Sequence, residues 1–485
     1  MSTVRRGSPE GRWLLAAAVL GSGLAALDAT VINVALPAIA EDLDADIAGL
    51  QWILNGYLLT LAAFLLLGGS LGDHFGRRRI FVIGVVWFAA ASLLCGLAPS
   101  VEVLVAARAL QGVGGALLTP GSLAMLQAGF HPDDRAAAIG SWSGLGGVAT
   151  AIGPFAGGWL VDAATWRLIF LLNLPVAAIT LFAARHVPES RDPEVTPGLD
   201  IAGSVAAAVG LAGVTWALVG LDSGASGVTT AAVVGVGALI AFVVIQARSP
   251  HPLLPLELFA NRWFTATNLV TLGLYFALGG SFFLLAVHLQ TTVGWSPVQA
   301  GAALFPLTVV MLLFSSRAAA FGQRVGPRLP MTVGPVVAGA GLLWLSRIEA
   351  GATYLGDVLP PVLVFGVGLV TTVAPLTATV LASAEERHAG IASGVNNTVA
   401  RTAGLLAVAA LPGLAGIGAG DVADPGAFTE GFRTALTITA AIAVGSGVLA
   451  FLTLTGGPRA VHDDAPPCPA CPLDGPPLRT AEPAT

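Results

Sequence analysis

Residues 69–81 read GSLGDHFGRRRIF, a short charged segment between two long apolar runs. Two hundred and fifty residues later, the segment 321–328 reads FGQRVGPR and aligns with LGDHFGRR at 71–78. The alignment pairs Gly72 with Gly322, Gly76 with Gly326 and Arg78 with Arg328, while Gln323 stands in place of Asp73. Trp13 and Trp263 are also 250 residues apart. This spacing predicts two related halves in one chain.

The chain around these segments is strongly apolar. Of its 485 residues, 55% are hydrophobic and 10% are charged, whereas soluble domains carry roughly 25% charged residues. The composition therefore excludes an ordinary soluble enzyme. The net charge of −6, with no concentrated basic face, gives no indication of nucleic-acid binding.

Apolar runs long enough to cross a bilayer recur along almost the whole chain, each about 20 residues long. We predict fourteen of them, at about 13–34, 48–68, 79–98, 103–128, 137–160, 165–185, 199–219, 228–247, 264–289, 298–320, 329–347, 358–382, 390–415 and 433–455. The runs lack the roughly 10-residue alternation of membrane β-strands. The predicted fold is an all-α integral membrane protein with 14 transmembrane helices.

The arginines predict the orientation of these helices. All 22 basic residues are arginine, and seventeen of them fall on cytoplasmic loops and tails if the N-terminus is cytoplasmic. Three would lie outside, and Arg108 and Arg401 would lie within spans. This distribution follows the positive-inside rule and places both termini in the cytoplasm. The first apolar run lacks a clear small-residue cleavage site, so we interpret it as an uncleaved helix rather than a signal peptide.

The internal repeat and the span count together predict a 6+2+6 arrangement. Its units are a cytoplasmic N-terminal tail at 1–12, an N-terminal six-helix bundle at 13–186, an inserted helix pair at 199–247, a C-terminal six-helix bundle at 263–455, and a disordered cytoplasmic tail at 456–485. Cys468 and Cys471 form a CPAC motif in that tail, but no His or Cys lies nearby to complete a metal site. We expect neither a metal nor a cofactor. The use of arginine with abundant Ala and Gly is typical of high-GC bacteria, which suggests a multi-pass protein of the bacterial cytoplasmic (plasma) membrane.

Asp28 is the only acidic residue deep inside an apolar run. At 1.5 Å per residue from Trp13 it lies about 22 Å deep, roughly 8 Å from the far edge of a ~30 Å hydrocarbon core. The fourth run begins near Val103 and returns from that edge, so Arg108 reaches about the same depth. We predict that the two charges pair, and that a motion separating them lets Asp28 bind a proton. A permanent structural ion pair is the alternative.

Six segments together resemble the major facilitator superfamily, specifically its 14-helix drug:proton antiporter branch. They are GSLGDHFGRRRIF at 69–81, LDATVINVALPAI at 27–39, RALQGVGGA at 108–116, GPFAGG at 153–158, WRLIFLLNLP at 166–175 and LQTTVGWSPVQAG at 289–301. The resemblance runs from about residue 13 to 455. It implies a major facilitator fold and a multidrug efflux protein, a proton-coupled exporter of lipophilic drugs or secondary metabolites that works by alternating access. Such a protein would confer antibiotic resistance.

The resemblance also implies roles for individual residues. Gly72, Asp73, Gly76 and Arg77 would form a cytoplasmic gate, in which Asp73 faces the helix N-terminus near Gly390. A simple topology determinant is the alternative for this loop. His74 stands where the family often has arginine, which weakens the local positive cluster.

The resemblance places an antiporter motif at Gly153, Pro154, Gly157 and Gly158. The glycines would let a neighbouring helix approach closely, and a dry contact there would block proton leakage. Ordinary membrane helix packing is the alternative for the motif. Proton coupling itself is implied around Arg108.

Amide, aromatic and charged side chains within the spans are candidates for a substrate cavity. They are Asn33, Trp52, Asn55, Gln111, Trp142, Asn268, Tyr275, Asn397 and Arg401. Arg401 has two alternative roles, attraction of an anionic substrate group or a structural role. Because the second half holds no buried acid, we expect neutral, zwitterionic or monocationic substrates.

The partners expected for this chain are a lipophilic small molecule, protons and the lipid bilayer, with the protein acting as a monomer. The nearest alternative is a proton-coupled importer or symporter on the same fold. A membrane enzyme is a weaker alternative, because it would need a cluster of nucleophile, base or metal ligands. The chain has no Walker motif, so ATP is not the expected source of energy.

Overall fold

The computed structural model describes residues 4–191, 198–221, 227–384, 389–418, 420–421 and 424–455, and it is built of helices. The first half contains α1 (Pro9–Leu43), α2 (Ile47–Phe75), α3 (Arg77–Gly96), α4 (Val101–Gly129), α5 (Pro132–Ala163), α6 (Leu168–Leu171) and α7 (Asn173–Ala184). Next come α8 (Ile201–Val219) and α9 (Val228–Arg248). The second half contains α10 (Arg262–Thr291), α11 (Pro297–Ala303), α12 (Phe305–Val325), α13 (Arg328–Leu345), α14 (Leu359–Ala382), α15 (Ala389–Leu414) and α16 (Pro425–Thr453).

Each of the fourteen predicted apolar runs falls on helical structure. In the described part of the chain, twelve helices are long and apolar enough to cross a membrane. That set leaves out the shorter apolar segment Leu168–Ala184 and the helix α15. The all-helical membrane architecture is confirmed, whereas the count of fourteen spans stays a prediction.

Polar caps set the first turns of two helices that begin before their apolar runs. The Ser8 side chain accepts a bond from Gly11 N, so α1 begins at Pro9 rather than near residue 13. The Asp424 side chain accepts bonds from Gly426 N and Ala427 N, so α16 begins at Pro425 rather than near 433. Side-chain caps of this kind satisfy donors that a helix start leaves unpaired.

The described part of the N-terminal tail is docked on the turn between α4 and α5. Val4 N donates to Gly129 O at 2.8 Å, and Arg5 forms an ion pair with Asp133 at 3.1 Å. The segment before α1 is therefore anchored on the bundle. The predicted C-terminal tail, with its CPAC motif, lies outside the described residues.

The turns at the repeated motif have matching geometry. Gly76 ends α2 with φ of 112°, and Gly326 ends α12 with φ of 81°, a region that glycine adopts without steric cost. Arg78 Nη2 donates to Arg185 O at 3.4 Å, next to the end of α7. Arg328 Nη2 donates to Phe451 O at 2.8 Å, near the end of α16. In each half, the arginine at the equivalent position of the motif thus contacts the end of that half's last helix, as the internal repeat predicts.

The repeat extends into helix packing, where glycines let backbones touch. A Cβ on Gly114 of α4 would lie 2.7 Å from Phe88 N of α3. A Cβ on Gly368 of α14 would lie 2.7 Å from Ala338 Cα of α13. Phe88 and Ala338 are again 250 residues apart. Close approach through small residues is a main source of helix association in membranes.

The loops divide between two ends of the bundle. We call the end that carries the docked N-terminal segment and the turns at Gly76 and Gly326 the terminal end, and the other the opposite end. The largest buried apolar cluster lies toward the opposite end and joins both halves, with Leu36 and Ile39 of α1 packed in one cluster with Leu285 and Leu289 of α10. The inserted helix α8 packs against α2 and α15.

We expect Gly368→Ala to destabilise the protein, because the new methyl group would meet the backbone of α13. Overpacking of this kind costs about 1–3 kcal/mol. The measurement is thermal unfolding of the purified protein, followed by tryptophan fluorescence. Gly237→Ala in α9 is the matched control, because its Cβ would meet nothing within 4 Å. Equal melting temperatures for the two variants would contradict the packing interpretation.

Candidate functional site

The structure brings Asp28 and Arg108 together inside the first half. Arg108 Nη1 lies 2.6 Å from Asp28 Oδ2, and each residue is only 1% exposed. Asp28 belongs to the middle of α1, and Arg108 to the N-terminal half of α4, which returns from the opposite end. The depth argument from the sequence therefore predicts the contact correctly. The proton-coupling role that it suggests stays a prediction.

Three further polar side chains complete a network around Asp28. Gln111 Nε2 and Asn173 Nδ2 each donate to Asp28 Oδ1 at 2.8 Å. Ser92 Oγ accepts from Gln111 Nε2 at 2.8 Å and from Asn173 Nδ2 at 3.2 Å. We call Asp28, Ser92, Arg108, Gln111 and Asn173 the Asp28 network. It joins four helices, α1, α3, α4 and α7, and each member is buried.

Gln111, one of the cavity candidates, takes part in the network. Its Oε1 accepts from Arg108 Nη1 at 2.5 Å, while its amide nitrogen donates to Asp28. The Gln111 side chain therefore bridges both members of the ion pair, as expected from the helical face that it shares with Arg108. Ser92 and Asn173 were not predicted. Asn173 lies within the WRLIFLLNLP segment, which was the one available signal.

Aromatic rings and backbone surround Arg108 on its other sides. Its guanidinium carbon lies 4.3 Å from the Tyr57 ring centroid and 5.7 Å from that of Phe170. Its Nε donates to Ile53 O at 3.3 Å. The cation is thus held by a carboxylate, an amide, a carbonyl and two π-faces. Neutralising Asp28 would remove its strongest partner and leave a buried positive charge, which is costly.

The predicted gate residues form a compact turn at the terminal end. Asp73 Oδ1 accepts from Arg77 Nε at 2.8 Å, one helical turn away. Gly72 is buried, and Gly76 has the positive φ described above. In this structure, the Asp73 carboxylate is paired with the Arg77 guanidinium. Gly390 lies in the first turn of α15, and the predicted contact of Asp73 there, like its gating role, stays a prediction.

Glu189 caps the helix that follows this turn. Its Oε1 accepts from Arg78 N at 3.0 Å and its Oε2 from Arg79 N at 3.1 Å. Arg77 N donates to Ser190 O at 2.9 Å. A carboxylate at a helix N-terminus is stabilised by the unpaired amides and the helix dipole. Glu189 was not predicted, because it follows the sixth apolar run by sequence and reaches α3 only through the fold.

The GPFAGG segment lies between helices of both halves. A Cβ on Gly157 would lie 3.1 Å from Val31 Cγ2 of α1, and one on Gly158 would lie 2.5 Å from Val298 Cα of α11. A Cβ on Gly301 of α11 would in turn lie 2.7 Å from the carbonyl carbon of Pro154. Gly153 packs in the same way against Thr30 of α1. The predicted close approach is present, while its effect on proton leakage stays a prediction.

Polar contacts join the two halves at the opposite end. Asp162 Oδ2 accepts from Ser296 Oγ at 3.0 Å and from Val298 N at 3.2 Å. Gln51 Nε2 donates to Val408 O at 2.7 Å. Gln290 Nε2 donates to Val34 O at 3.1 Å. These contacts and the apolar cluster around them close this end of the bundle in the present structure.

The cavity candidates of the first half occupy different environments. The Trp52 ring centroid lies 5.5 Å from that of Trp216 on α8, a packing contact with the inserted pair. Trp142 Nε1 donates to Ser22 Oγ at 2.9 Å. Asn33 Nδ2 donates to Ala29 O of its own helix at 3.3 Å. Asn55 is fully buried, and among the described residues its amide has no hydrogen-bond partner.

The candidates of the second half lie on α10 and α15. Asn268 is buried and its Oδ1 accepts from Asn396 Nδ2 at 3.1 Å, which makes it a bridge between the two helices. Tyr275 and Arg401 are half-buried, and Asn397 is exposed. Arg401 and Asn397 are thus at least partly exposed, whereas Asn268 is buried between the two helices.

Comparison with known proteins identifies the family. The family model of the Major Facilitator Superfamily matches residues 18–409. The tetracenomycin C resistance and export protein of Streptomyces glaucescens is 36% identical over 420 residues, covering 84% of this chain and 76% of that protein. The puromycin resistance protein of Streptomyces alboniger is 34% identical over 474 residues, covering 94% of this chain and 93% of that protein.

Solved structures show the same fold. A bacterial homologue of the human lysosomal transporter Spinster, in an inward-facing and unoccupied conformation, superposes with a TM-score of 0.66. The two sequences are 18% identical, and the match covers 92% of this chain and 98% of the other. The resemblance seen in the sequence motifs is thereby confirmed. The chain belongs to the Major Facilitator Superfamily.

Proposed function

We propose that this protein is a proton-coupled exporter of lipophilic small molecules, either drugs or secondary metabolites. The Asp28 network carries the proposal, because an acid held in a membrane bundle by an arginine and two amides is suited to bind and release a proton. The relatives support export, since their names state resistance and export. A transport function accounts for these features without any catalytic step.

In the proposed cycle, protonation of Asp28 is coupled to a change of conformation. The charged carboxylate holds Arg108 in this state, and protonation weakens that bond and frees the guanidinium to move. One proton moving down about 100 mV and one pH unit supplies roughly 3.7 kcal/mol. That energy sustains a gradient of a few-hundredfold for a neutral substrate, which is ample for efflux.

The proposal includes a membrane topology. Fourteen spans in a 6+2+6 arrangement, with both termini cytoplasmic, place the terminal end in the cytoplasm of a bacterium and the opposite end outside. The contacts of Asp162, Gln51 and Gln290 then close the outer side, so this state opens inward. Alternating access requires these contacts to break when the outer side opens. A monomer holds every element of this mechanism.

We expect Asp28→Asn to abolish proton exchange, because an amide does not titrate in the transport range. Vesicles with an acidic, dye-loaded lumen should lose protons when a transported compound is added to wild-type protein, and should not do so with the variant. Asp44→Asn is the control, since Asp44 is exposed and Asn tolerates its positive φ of 51°. Equal proton release from wild type and Asp28→Asn would contradict the coupling role. Acidification of the lumen by wild-type protein would favour the symporter alternative instead.

Asn173→Ala should make Asp28 hold its proton more tightly, because the variant removes one donor to the carboxylate. A hydrogen bond to a charged group is worth about 1.5–3 kcal/mol, so the pH midpoint of exchange should rise by about one unit or more. The measurement is the pH profile of compound-driven proton release. Thr180→Val is the control on the same helix, because its hydroxyl donates to Val176 O of α7. An unchanged midpoint in Asn173→Ala would show that the amide does not tune Asp28.

Cross-linking the opposite end should stop transport. A short cleavable reagent between Asp162→Cys and Val298→Cys holds the two halves closed, with Cys468 and Cys471 replaced by serine and the buried Cys95 retained. Transport should fall to background and return after cleavage. The control pair is Asp42→Cys with Arg167→Cys, which joins residues of one half that form a 2.6 Å ion pair. Full transport by the cross-linked first pair would contradict opening at this end.

A further inference from the structure

Arg401 differs from Arg108 in having no hydrogen-bond or ion-pair partner among the described residues. In the part of the chain that the structure describes, Arg108 has a carboxylate, an amide and a carbonyl, while Arg401 has neither a hydrogen bond nor an ion pair. Arg401 is half-buried and lies about 18 Å along α15 from its start. A guanidinium offers five donors and keeps its charge in proteins. A cation at this depth without a counter-charge is poised to bind one.

The position of Arg401 is the interface between the two halves. A Cβ on Gly394, seven residues before it, would lie 3.2 Å from Leu66 Cδ2 of α2. Val408, seven residues after it, accepts the bond from Gln51 of α2. Residues seven apart share one face of a helix, since seven residues make almost two turns. Arg401 therefore lies on the stripe of α15 that faces α2 across the boundary between the halves.

Aromatic and amide groups of both halves lie around this position. The charge of Arg401 acts electrostatically on the phenol groups of Tyr57 in the first half and Tyr275 in the second. Asn55, one turn from Gln51 along α2, is buried with an amide that has no partner among the described residues. Space is also present here, because a Cβ on Gly404 would meet nothing within 4 Å.

We propose that Arg401 binds an ionised acid group of the transported compound, with Asn55 supplying a further hydrogen bond. The occupant is an apolar or aromatic molecule that carries a carboxylate, sulfonate or phenolate. This inference rests on the proposed export function, and it replaces the expectation of neutral, zwitterionic or monocationic substrates with compounds that carry an acid group. The half-buried ring of Tyr275 would contact the apolar body while the guanidinium holds the acid.

An acidic substrate changes the electrical balance of the cycle. Export of one anion is electrically equivalent to moving one positive charge into the cell. The entering proton carries a second positive charge inward. Each charge gains about 2.3 kcal/mol per 100 mV. Transport of an acid should therefore depend more steeply on membrane potential than transport of its neutral ester.

The test compares an acid with its neutral ester. Wild-type protein in phosphatidylcholine nanodiscs is titrated with 1-pyrenebutyrate and with its methyl ester, and binding is followed by energy transfer from tryptophan to pyrene. Naphthoate and anthracene-carboxylate, each with its methyl ester, are tested by competition. Wild-type protein should bind at least one acid about 10- to 100-fold more tightly than its ester.

Three variants test whether Arg401 causes the preference for the acid over the ester. Arg401→Gln should abolish the difference between acid and ester, and Arg401→Lys should restore part of it. Arg317→Gln is the matched control, because Arg317 is an exposed arginine of α12 that donates to Leu313 O of its own helix at 3.3 Å. The control should keep the full preference for the acid.

The outcomes separate this inference from the proposed function. Equal affinity for acid and ester, or a preference that survives Arg401→Gln, overturns the acid site. Proton exchange driven by neutral compounds, with no binding of any acid, also overturns the acid site but leaves the exporter intact. Absence of proton exchange with every compound, charged or neutral, overturns the exporter and the acid site together.

Discussion

The burial of opposite charges at Asp28 and Arg108 is the constraint on which the first half depends. Removing each charge from water costs several kcal/mol even after relaxation, and attraction offsets that cost only when the geometry and the remaining hydrogen bonds are good. The network supplies those bonds from Gln111, Asn173 and Ser92. Four helices must therefore keep their relative positions for as long as Asp28 is charged. A change in its protonation affects the whole half.

The sequence predicts the ion pair but not the rest of its network. Depth along a helix follows from residue counting, so two charges in antiparallel spans can be matched without knowing the fold. Asn173 and Ser92 carry no charge, and their contact with Asp28 depends on how α3 and α7 turn toward α1. The same holds for Glu189, which reaches α3 from a distant loop. Trp52 was singled out from the sequence, but its neighbour could not be predicted, because an aromatic side chain gives no indication of which helix it contacts.

The helices themselves follow closely from the apolar runs, because a bilayer-length run has few alternatives to a helix. Their ends do not, since Ser8 and Asp424 extend α1 and α16 by side-chain capping. The repeat shows a further limit. Matching letters reveal Gly76 and Gly326, whereas the backbone contacts of Gly114 and Gly368 emerge only from the packed helices. Gly114 and Gly368 are not separated by the 250 residues that relate the repeated motif, so aligning the two halves at that offset does not pair them.

The bonds that join the two halves at the opposite end have a strength that suits the proposed transporter. Asp162, Gln51 and Gln290 close the opposite end with neutral or singly charged hydrogen bonds, each worth about 0.5–3 kcal/mol net. Such contacts are individually comparable to the roughly 3.7 kcal/mol that one proton supplies. A closed end held by several buried ion pairs would instead cost 3–5 kcal/mol for each pair broken. The strong pair, Asp28 with Arg108, lies within one half, where in the proposed cycle it is weakened by protonation of Asp28 rather than by the parting of the halves. In the proposed cycle, the protein thus keeps its costly charges inside one half and uses weaker bonds where the two halves part.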